Sequence, residues 1–207
     1  MINELIERYP RLKACEDSVN RALDIIIKCY EDGGKLLLSG NGGSCADCDH
    51  IVGELMKGFL NPRPLSPELK EKMKNNCAYI DDSTLHKLQR GLPAISLPSF
   101  TALNSAFAND VDPELIYAQA LMSLANESDV LLAISTSGNA KNVTLAATVA
   151  KALGIKVIAL SGRSGGELRD KSDICICVPE DETFKIQELH LPVYHCICAE
   201  IEKYFFG

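Results

Sequence analysis

The stretch Lys35-Leu36-Leu37-Leu38-Ser39-Gly40-Asn41-Gly42-Gly43-Ser44 decides the fold. Its first half is a short apolar run bounded by glycine and reads as a strand buried on both faces, because a half-wet strand would alternate polar and apolar side chains. The glycine-rich turn after it opens a helical pattern over residues 45 to about 59. The same grammar returns downstream: the strand Asp129-Val130-Leu131-Leu132-Ala133-Ile134, the loop Ser135-Thr136-Ser137-Gly138-Asn139, and a helix over 140–153 with Gly154 as its stop. Further strands are predicted over 155–160, 173–178 and 94–97, and a closing helix over about 183–204. Upstream, Leu5, Leu12, Val19, Leu23, Ile26 and Ile27 recur at helical spacing and predict an N-terminal helix over about 1–32. Strands alternating with helices predict an α/β fold, a three-layer α/β/α sandwich around a parallel sheet.

Outside this pattern lies 62–90, which has no strand signal and few apolar residues. Ser66-Pro67-Glu68 has the residue order of a helix start, and Asp82-Ser83-Thr84 predicts a second helix ending at Gly91. The segment reads as a helical insertion on a single domain spanning 1–207.

Hydrophobic residues make up 46% of the 207 and charged residues 24%, a balance that supports a packed core. Asp and Glu number 28 against 21 Lys and Arg, a formal charge of −7. That excess argues against nucleic acid or an anionic membrane as partner, since both require a basic surface to neutralise phosphate. No apolar run approaches the roughly 18–20 residues that span a bilayer. The first ten residues mix charged with apolar side chains, unlike a signal peptide. Nine cysteines, an odd number without an export signal, predict reduced thiols and a cytoplasmic protein.

Both strand-to-helix loops present backbone N–H groups at a helix start, a natural anion site, and Ser135, Thr136 and Ser137 add hydroxyl donors. A tight turn with a helix cap explains one such loop. Two of them at the carboxyl ends of parallel strands favour a phosphorylated ligand. The P-loop string G-x-x-x-x-G-K-[ST] is absent, and Gly40-Asn41-Gly42-Gly43-Ser44 runs into Cys45 where the dinucleotide fingerprint needs its third glycine. A small phosphorylated metabolite fits better than a nucleotide.

His50 and Glu54 stand four apart and share a helix face; Gln187 and His195 stand eight apart, about two turns. Such a set suits a divalent metal or an acid–base pair, although spacing alone favours a helix-surface hydrogen bond. His190 reads as structural and His86 as a solvated surface residue. Cys45-Ala46-Asp47-Cys48 lacks the second pair that a zinc knuckle requires. Cys175, Cys177, Cys196 and Cys198 lie in apolar runs as small hydrophobes, and all nine cysteines read as structural.

Together, Gly40 to Ser44, Asp47, His50, Glu54-Leu55, Ile134-Ser135-Thr136-Ser137-Gly138-Asn139, Ile186-Gln187-Glu188-Leu189-His190 and His195 resemble a sugar isomerase (SIS) domain, a flavodoxin-like fold of nucleotide-independent type. Within that superfamily they are most similar to the phosphoheptose isomerases, over nearly the whole chain except 62–90. The Ser-Thr-Ser-Gly-Asn loop marks only the superfamily; His50 and Glu54 with Gln187 and His195 are more specific. The resemblance implies that Ser44, Ser135, Thr136 and Ser137 hold the substrate phosphate. It implies that Asn41, Gly42, Gly43, Asn109 and Asp110 line the sugar site, with Gln187 beside the substrate. His50, Glu54, Gln187 and His195 match zinc ligands, and Glu54 and His195 also match the catalytic acid–base positions.

The implied reaction is an aldose–ketose isomerisation through an enediol with Zn²⁺ assistance, sedoheptulose 7-phosphate to D-glycero-D-manno-heptose 7-phosphate being the leading case. The implied assembly is a homotetramer with sites at subunit interfaces. Two rivals stand beside it: an isomerase of another sugar phosphate, and a non-catalytic SIS adaptor that binds the bacterial replication initiator. In the adaptor branch the positions of Glu54 and His195 carry other residues. This sequence departs from the family pattern at Ala140, which removes a phosphate donor, at Phe184, which replaces a polar substrate contact, and at Pro192, which is expected to kink the last helix.

Overall fold

The computed structural model describes residues 1–207. Five strands, β1 (Leu36–Ser39), β2 (Ala94–Ser96), β3 (Val130–Ser135), β4 (Lys156–Ser161) and β5 (Ile174–Cys177), form one all-parallel sheet in the order β2-β1-β3-β4-β5. Its helices are α1 (Ile2–Arg8), α2 (Glu16–Glu31), α3 (Gly43–Met56), α4 (Pro67–Asn76), α5 (Asp82–Lys87), α6 (Thr101–Asp110), α7 (Ile116–Leu124), α8 (Lys141–Ala152), α9 (Gly166–Lys171) and α10 (Thr183–Phe206). None is long and apolar enough to cross a membrane.

Every residue of β1 and β3 is buried, which accounts for their unbroken apolar sequence. Successive side chains point to opposite faces. Leu36, Leu38, Leu132, Ile134, Ile158 and Leu160 join a core shared with α2, α3 and α10. Leu37, Leu131, Ala133, Val157 and Ala159 join a second core with α7 and α8. The predicted three-layer sandwich is therefore present. From β1 the chain winds outward to β2, then returns across β1 to reach β3. The winding direction reverses between β1 and β3, and in such sheets the crevice beyond that reversal is where ligands bind.

The structure corrects several boundaries. The N-terminal segment is not one helix: α1 stops at Arg8, a 3₁₀ turn runs Pro10–Cys15, and α2 begins at Glu16. Pro10 has no N–H to donate and disfavours helical geometry at Tyr9, whose φ is −132° and ψ 74°. Two further helices, α6 and α7, fill the stretch between β2 and β3, where no helix was predicted. α3 begins at Gly43, two residues early, and ends at Met56. In the insertion, Ser66 accepts a hydrogen bond from the Leu69 N–H as its predicted cap. The second helix is capped by Asp81 instead, and it ends at Lys87, not Gly91, because Leu88 is extended. α4 buries no residue and α5 buries only Leu85. A Pro64–Gln89 bridge and an Arg90 N–H bond to the Arg63 carbonyl (2.7 Å) close the insertion at its base. α10 runs through the buried Pro192 as one helix.

Candidate active site

A cavity of about 350 Å³ opens at the β1/β3 reversal. Asn41 to Ser44 line one side, Ser135, Thr136 and Ser137 the other, and Thr183 and Gln187 close it from the start of α10. Two glycines make the shape possible. A Cβ on Gly43 would lie 2.3 Å from Gln187 Nε2, so any side chain there displaces the Gln187 amide from its seat beside the loop. Gly138 has φ 68°, and a Cβ there would lie 1.9 Å from the Gly165 carbonyl oxygen. The Ser135 carbonyl accepts from the Gly138 N–H (3.0 Å) and from the buried Ser161 hydroxyl (2.7 Å), which fixes the turn. Asn41 exchanges two hydrogen bonds with Asn142 (2.8 and 3.0 Å), and the Tyr117 hydroxyl stands 2.9 Å from Asn41 Oδ1. One rim of the cavity is thus preset in a polar, donor-rich form suited to an anion. Ala140 lies at this rim, whereas the side chain of Phe184 is exposed.

A second cluster forms where α3 faces α10. His50 Nε2 lies 3.2 Å from Glu54 Oε1 and 3.5 Å from His195 Nε2. His50 Nδ1 is 3.0 Å from the Tyr194 hydroxyl, and that hydroxyl donates to Asp47 Oδ1 at 3.1 Å. With its proton given to Asp47, the Tyr194 oxygen accepts from His50 Nδ1–H. The lone pair of His50 Nε2 is then free to face Glu54 and His195. Burial, with the charge of His50 second, lowers the pKa of His195 and favours its neutral form. Burial also raises the Asp47 carboxyl, against the Tyr194 hydrogen bond that lowers it. Lys57 Nζ stands 3.2 Å from Glu54 Oε2 and supplies the positive partner of that carboxylate. His195 also opens onto a cavity of about 420 Å³ between α1 and α10, beside Arg8, Phe59 and Pro192.

Three of the four residues matched to zinc ligands are therefore together. A tetrahedral ion with bonds of about 2.0–2.1 Å sets neighbouring donors roughly 3.3–3.4 Å apart. His50 stands near that spacing from both Glu54 and His195 (3.2 and 3.5 Å), although the three side chains are not arranged as a ready-made metal-binding group. Gln187 does not join them; it makes no hydrogen bond to any of the three and lines the loop cavity against Gly43. Asn109 and Asp110 are not at either cavity. They sit exposed at the end of α6, bonded to each other at 2.8 Å, because α6 leaves from the edge strand β2. His190 is fully buried and His86 exposed, as expected. All nine cysteines are free.

Sequence reasoning did not single out Tyr117, Asn142, Tyr194 or Lys57. Lys57 lies three residues after Glu54 on the same turn, a spacing that could have marked it. The other three reach the site through tertiary contact and carry no local signal.

This fold, with a serine-rich loop at the reversal point, defines the SIS class, and the family model of the SIS domain matches residues 102–195. A phosphoheptose isomerase of Helicobacter pylori is 36% identical over 99% of this chain and 98% of its own length. Among solved structures, phosphoheptose isomerases of Neisseria gonorrhoeae and Francisella tularensis superpose with TM-scores of 0.76 and 0.75 at 28% and 32% identity, each covering 97% of this chain and 94% of the other. The chain belongs to the phosphoheptose isomerase family, and its chemistry is that of a sugar-phosphate aldose–ketose isomerase.

Proposed function

We propose that this protein isomerises sedoheptulose 7-phosphate to D-glycero-D-manno-heptose 7-phosphate. The observation that carries the reading is the convergence of Glu54, His50 and His195 from two helices, in a chain whose β1 and β3 loops form a cavity of phosphate-binding character. Ser44, Ser135, Thr136 and Ser137 hold the phosphate through hydroxyl and backbone N–H donors, with Asn41 to Gly43 and Gln187 against the sugar. Glu54 and His195 move the proton: one takes it from the carbon beside the carbonyl, an enediol forms, and a proton returns at the neighbouring carbon. Tyr194 and Asp47 fix the ring of His50. Zn²⁺, held by His50, Glu54 and His195, would supply electrophilic stabilisation to the substrate oxygens. Gln187 is the fourth residue of the family's ligand set, and its seat beside Gly43 favours a substrate contact instead.

The reading includes a cytoplasmic homotetramer. Nine free cysteines support the compartment. Exposed Val111, Met122 and Leu191, together with Asn109 and Asp110 standing apart from both cavities, support assembly with further copies. The test is incubation of purified protein with a panel of ketose phosphates, with and without added zinc. Conversion of the heptulose phosphate to its aldose is expected, and to be lost on chelation. No turnover of any ketose phosphate in the presence of zinc overturns the proposal.

A further inference from the structure

The edge strand β5 carries two cysteines two residues apart, and on a strand such residues share a face. Cys175 Sγ and Cys177 Sγ lie 3.3 Å apart, both half-buried. They face α9 and the core built on α7 and α8, on the side of the sheet away from α3 and α10. The exposed Arg169 of α9 donates from Nη2 to Cys177 Sγ at 3.4 Å. No other cysteine pair has this arrangement. Cys196 and Cys198 are both buried in α10, and Cys48 is sealed inside while Cys45 is not. Cys15, buried on the opposite face, donates its thiol to the Cys177 carbonyl at 3.2 Å and not to its sulfur.

We propose that Cys175 and Cys177 are a modification site, a peroxide-reactive dithiol that closes reversibly to an intramolecular disulfide. The two sulfurs are unlike. The contact with Cys175, with the Arg169 guanidinium beside Cys177 adding, lowers the Cys177 thiol against the burial that opposes it. The same contact, with burial, raises Cys175. Cys177 is thus the thiolate and Cys175 the protonated partner that resolves the product, which is the pairing that reversible thiol oxidation needs. At about 3.3 Å rise per residue the two Cα atoms stand roughly 6.6 Å apart, near the upper end of the separations that disulfides bridge. Side chains on one face of a strand hold their Cβ atoms about as far apart, beyond the roughly 3.5–4.5 Å of a disulfide. Closure therefore bends Cys177, the last residue of this edge strand, out of the sheet, and the resulting bond is strained enough to be readily reduced.

The chemistry balances with a hydroperoxide as oxidant. The Cys177 thiolate attacks one peroxide oxygen and breaks the O–O bond. Cys177 becomes a sulfenic acid, and the other oxygen leaves as water or an alcohol after protonation. The Cys175 sulfur then attacks the Cys177 sulfur, giving up its proton, and the sulfenic hydroxyl leaves as water. Two electrons pass from the dithiol to the peroxide, and an external dithiol returns them.

The test treats the native protein with hydrogen peroxide, then denatures it, alkylates free thiols with iodoacetamide and maps the peptides by mass spectrometry. One peptide is expected to hold both cysteines unalkylated and two hydrogens lighter, and dithiothreitol before alkylation is expected to restore both. Cys175→Ser should leave Cys177 as a sulfenic acid that dimedone traps, Arg169→Gln should slow its formation several-fold, and Cys15→Ser should leave the disulfide yield intact. Alkylation of Cys175 and Cys177 after peroxide to the same extent as in untreated protein overturns the proposal. So does oxidation of the exposed Cys77 ahead of Cys177.

Discussion

Arg63 and Glu202 form an ion pair with water excluded from both partners: Arg63 Nε lies 2.8 Å from Glu202 Oε1, and both side chains are fully buried. Glu202 also accepts from the backbone N–H groups of Phe59, Leu60 and Asn61 at 2.8, 2.7 and 3.0 Å. Arg63 donates to the carbonyls of Leu55 (2.7 Å) and Glu54 (3.2 Å), and the Phe206 ring covers its guanidinium at 4.5 Å. The chain leaving α3 is thus wrapped around one carboxylate, and the last turn of the helix that carries Glu54 is held from below. Removing one partner of a buried pair costs about 3–5 kcal/mol, since the other charge is left without compensation. Arg63→Met is expected to lose that much stability in urea denaturation. At temperatures where it stays folded, its kcat should fall as Glu54 loses its fixed backbone. Arg63→Lys should recover only part of either loss, because one ammonium cannot span three acceptors in different directions.

Tyr194→Phe removes a single hydroxyl from the Asp47–Tyr194–His50 chain. The ring remains, and with it the packing, so a stability change of no more than about 1–2 kcal/mol is expected for the lost hydrogen bonds. Outer partners of a metal-binding histidine commonly contribute 10–100-fold to affinity or activity. Zinc affinity measured by competition with a chelating dye should drop within that range, with kcat falling alongside it and KM little changed. Unaltered zinc affinity in a folded Tyr194→Phe protein would show that His50 does not need this support.

Much of this was legible in the sequence, and for identifiable reasons. Leu36 to Leu38 and Val130 to Ile134 are buried on both faces, so no surface residue interrupts their pattern. The His50–Glu54 pair was visible because helical spacing alone places the two on one face. α6 and α7 were missed: α6 buries no residue, and the largely apolar α7 has too little polar contrast to show a period. The break at Pro10 was overridden by apolar residues that keep helical spacing on either side of it. Cys175 and Cys177 read as small hydrophobes because an alternating strand sequence does not reveal that the strand lies at an edge. The Arg63–Glu202 pair joins residues from a loop and the last helix, and only the folded chain brings them together.

His190 is fully buried, and burial pushes its pKa down to about 4 from an ordinary value near 6.5. The folded state holds the neutral ring, while the unfolded chain takes up a proton below about 6.5. Stability from this residue is therefore complete above that pH and is lost as pH falls toward 4, by up to about 1.4 kcal/mol per unit. Burial lowers His195 as well, so His195 contributes with the same sign. Denaturation midpoints of the wild type should decline between pH 6.5 and 5, and His190→Gln should flatten that decline even though it is less stable at pH 7.5. Parallel profiles for the two proteins would assign the acid sensitivity elsewhere.

Glu54→Gln keeps the size of the side chain and a carbonyl oxygen but removes the basic carboxylate, and His195→Asn removes the titratable ring. Each is expected to lower kcat by roughly a hundredfold or more, the usual contribution of a general acid or base. The double variant should be little worse than the poorer single, because the two groups act on one proton transfer. Thr136→Val removes a hydroxyl at the loop cavity and should mainly raise KM. If Glu54→Gln and His195→Asn both turn over ketose phosphate at the wild-type rate, the cluster is structural, and a non-catalytic binding role becomes the better account.

The resemblance to the family implies that Asn109 and Asp110 line the sugar site, yet within one chain they lie exposed at the end of α6, away from both cavities. The expectation and the structure agree if a second copy presents its α6 to the site. A site built from two copies can be repaired by mixing two defective proteins. Glu54→Gln lacks the base but carries an intact α6, and Asp110→Ala carries the base but lacks the sugar contact. Co-expressed at equal levels and purified as mixed assemblies, they produce sites in which an intact base meets an intact Asp110. With random pairing, roughly a quarter of sites are restored, and activity should approach a quarter of the wild-type rate although each variant alone is nearly inactive. Light scattering should show the mixed protein at the same oligomeric size as the wild type. If mixed assemblies of that size stay as inactive as the separate variants, Asp110 serves its own chain, and the exposed position of α6 changes on substrate binding instead.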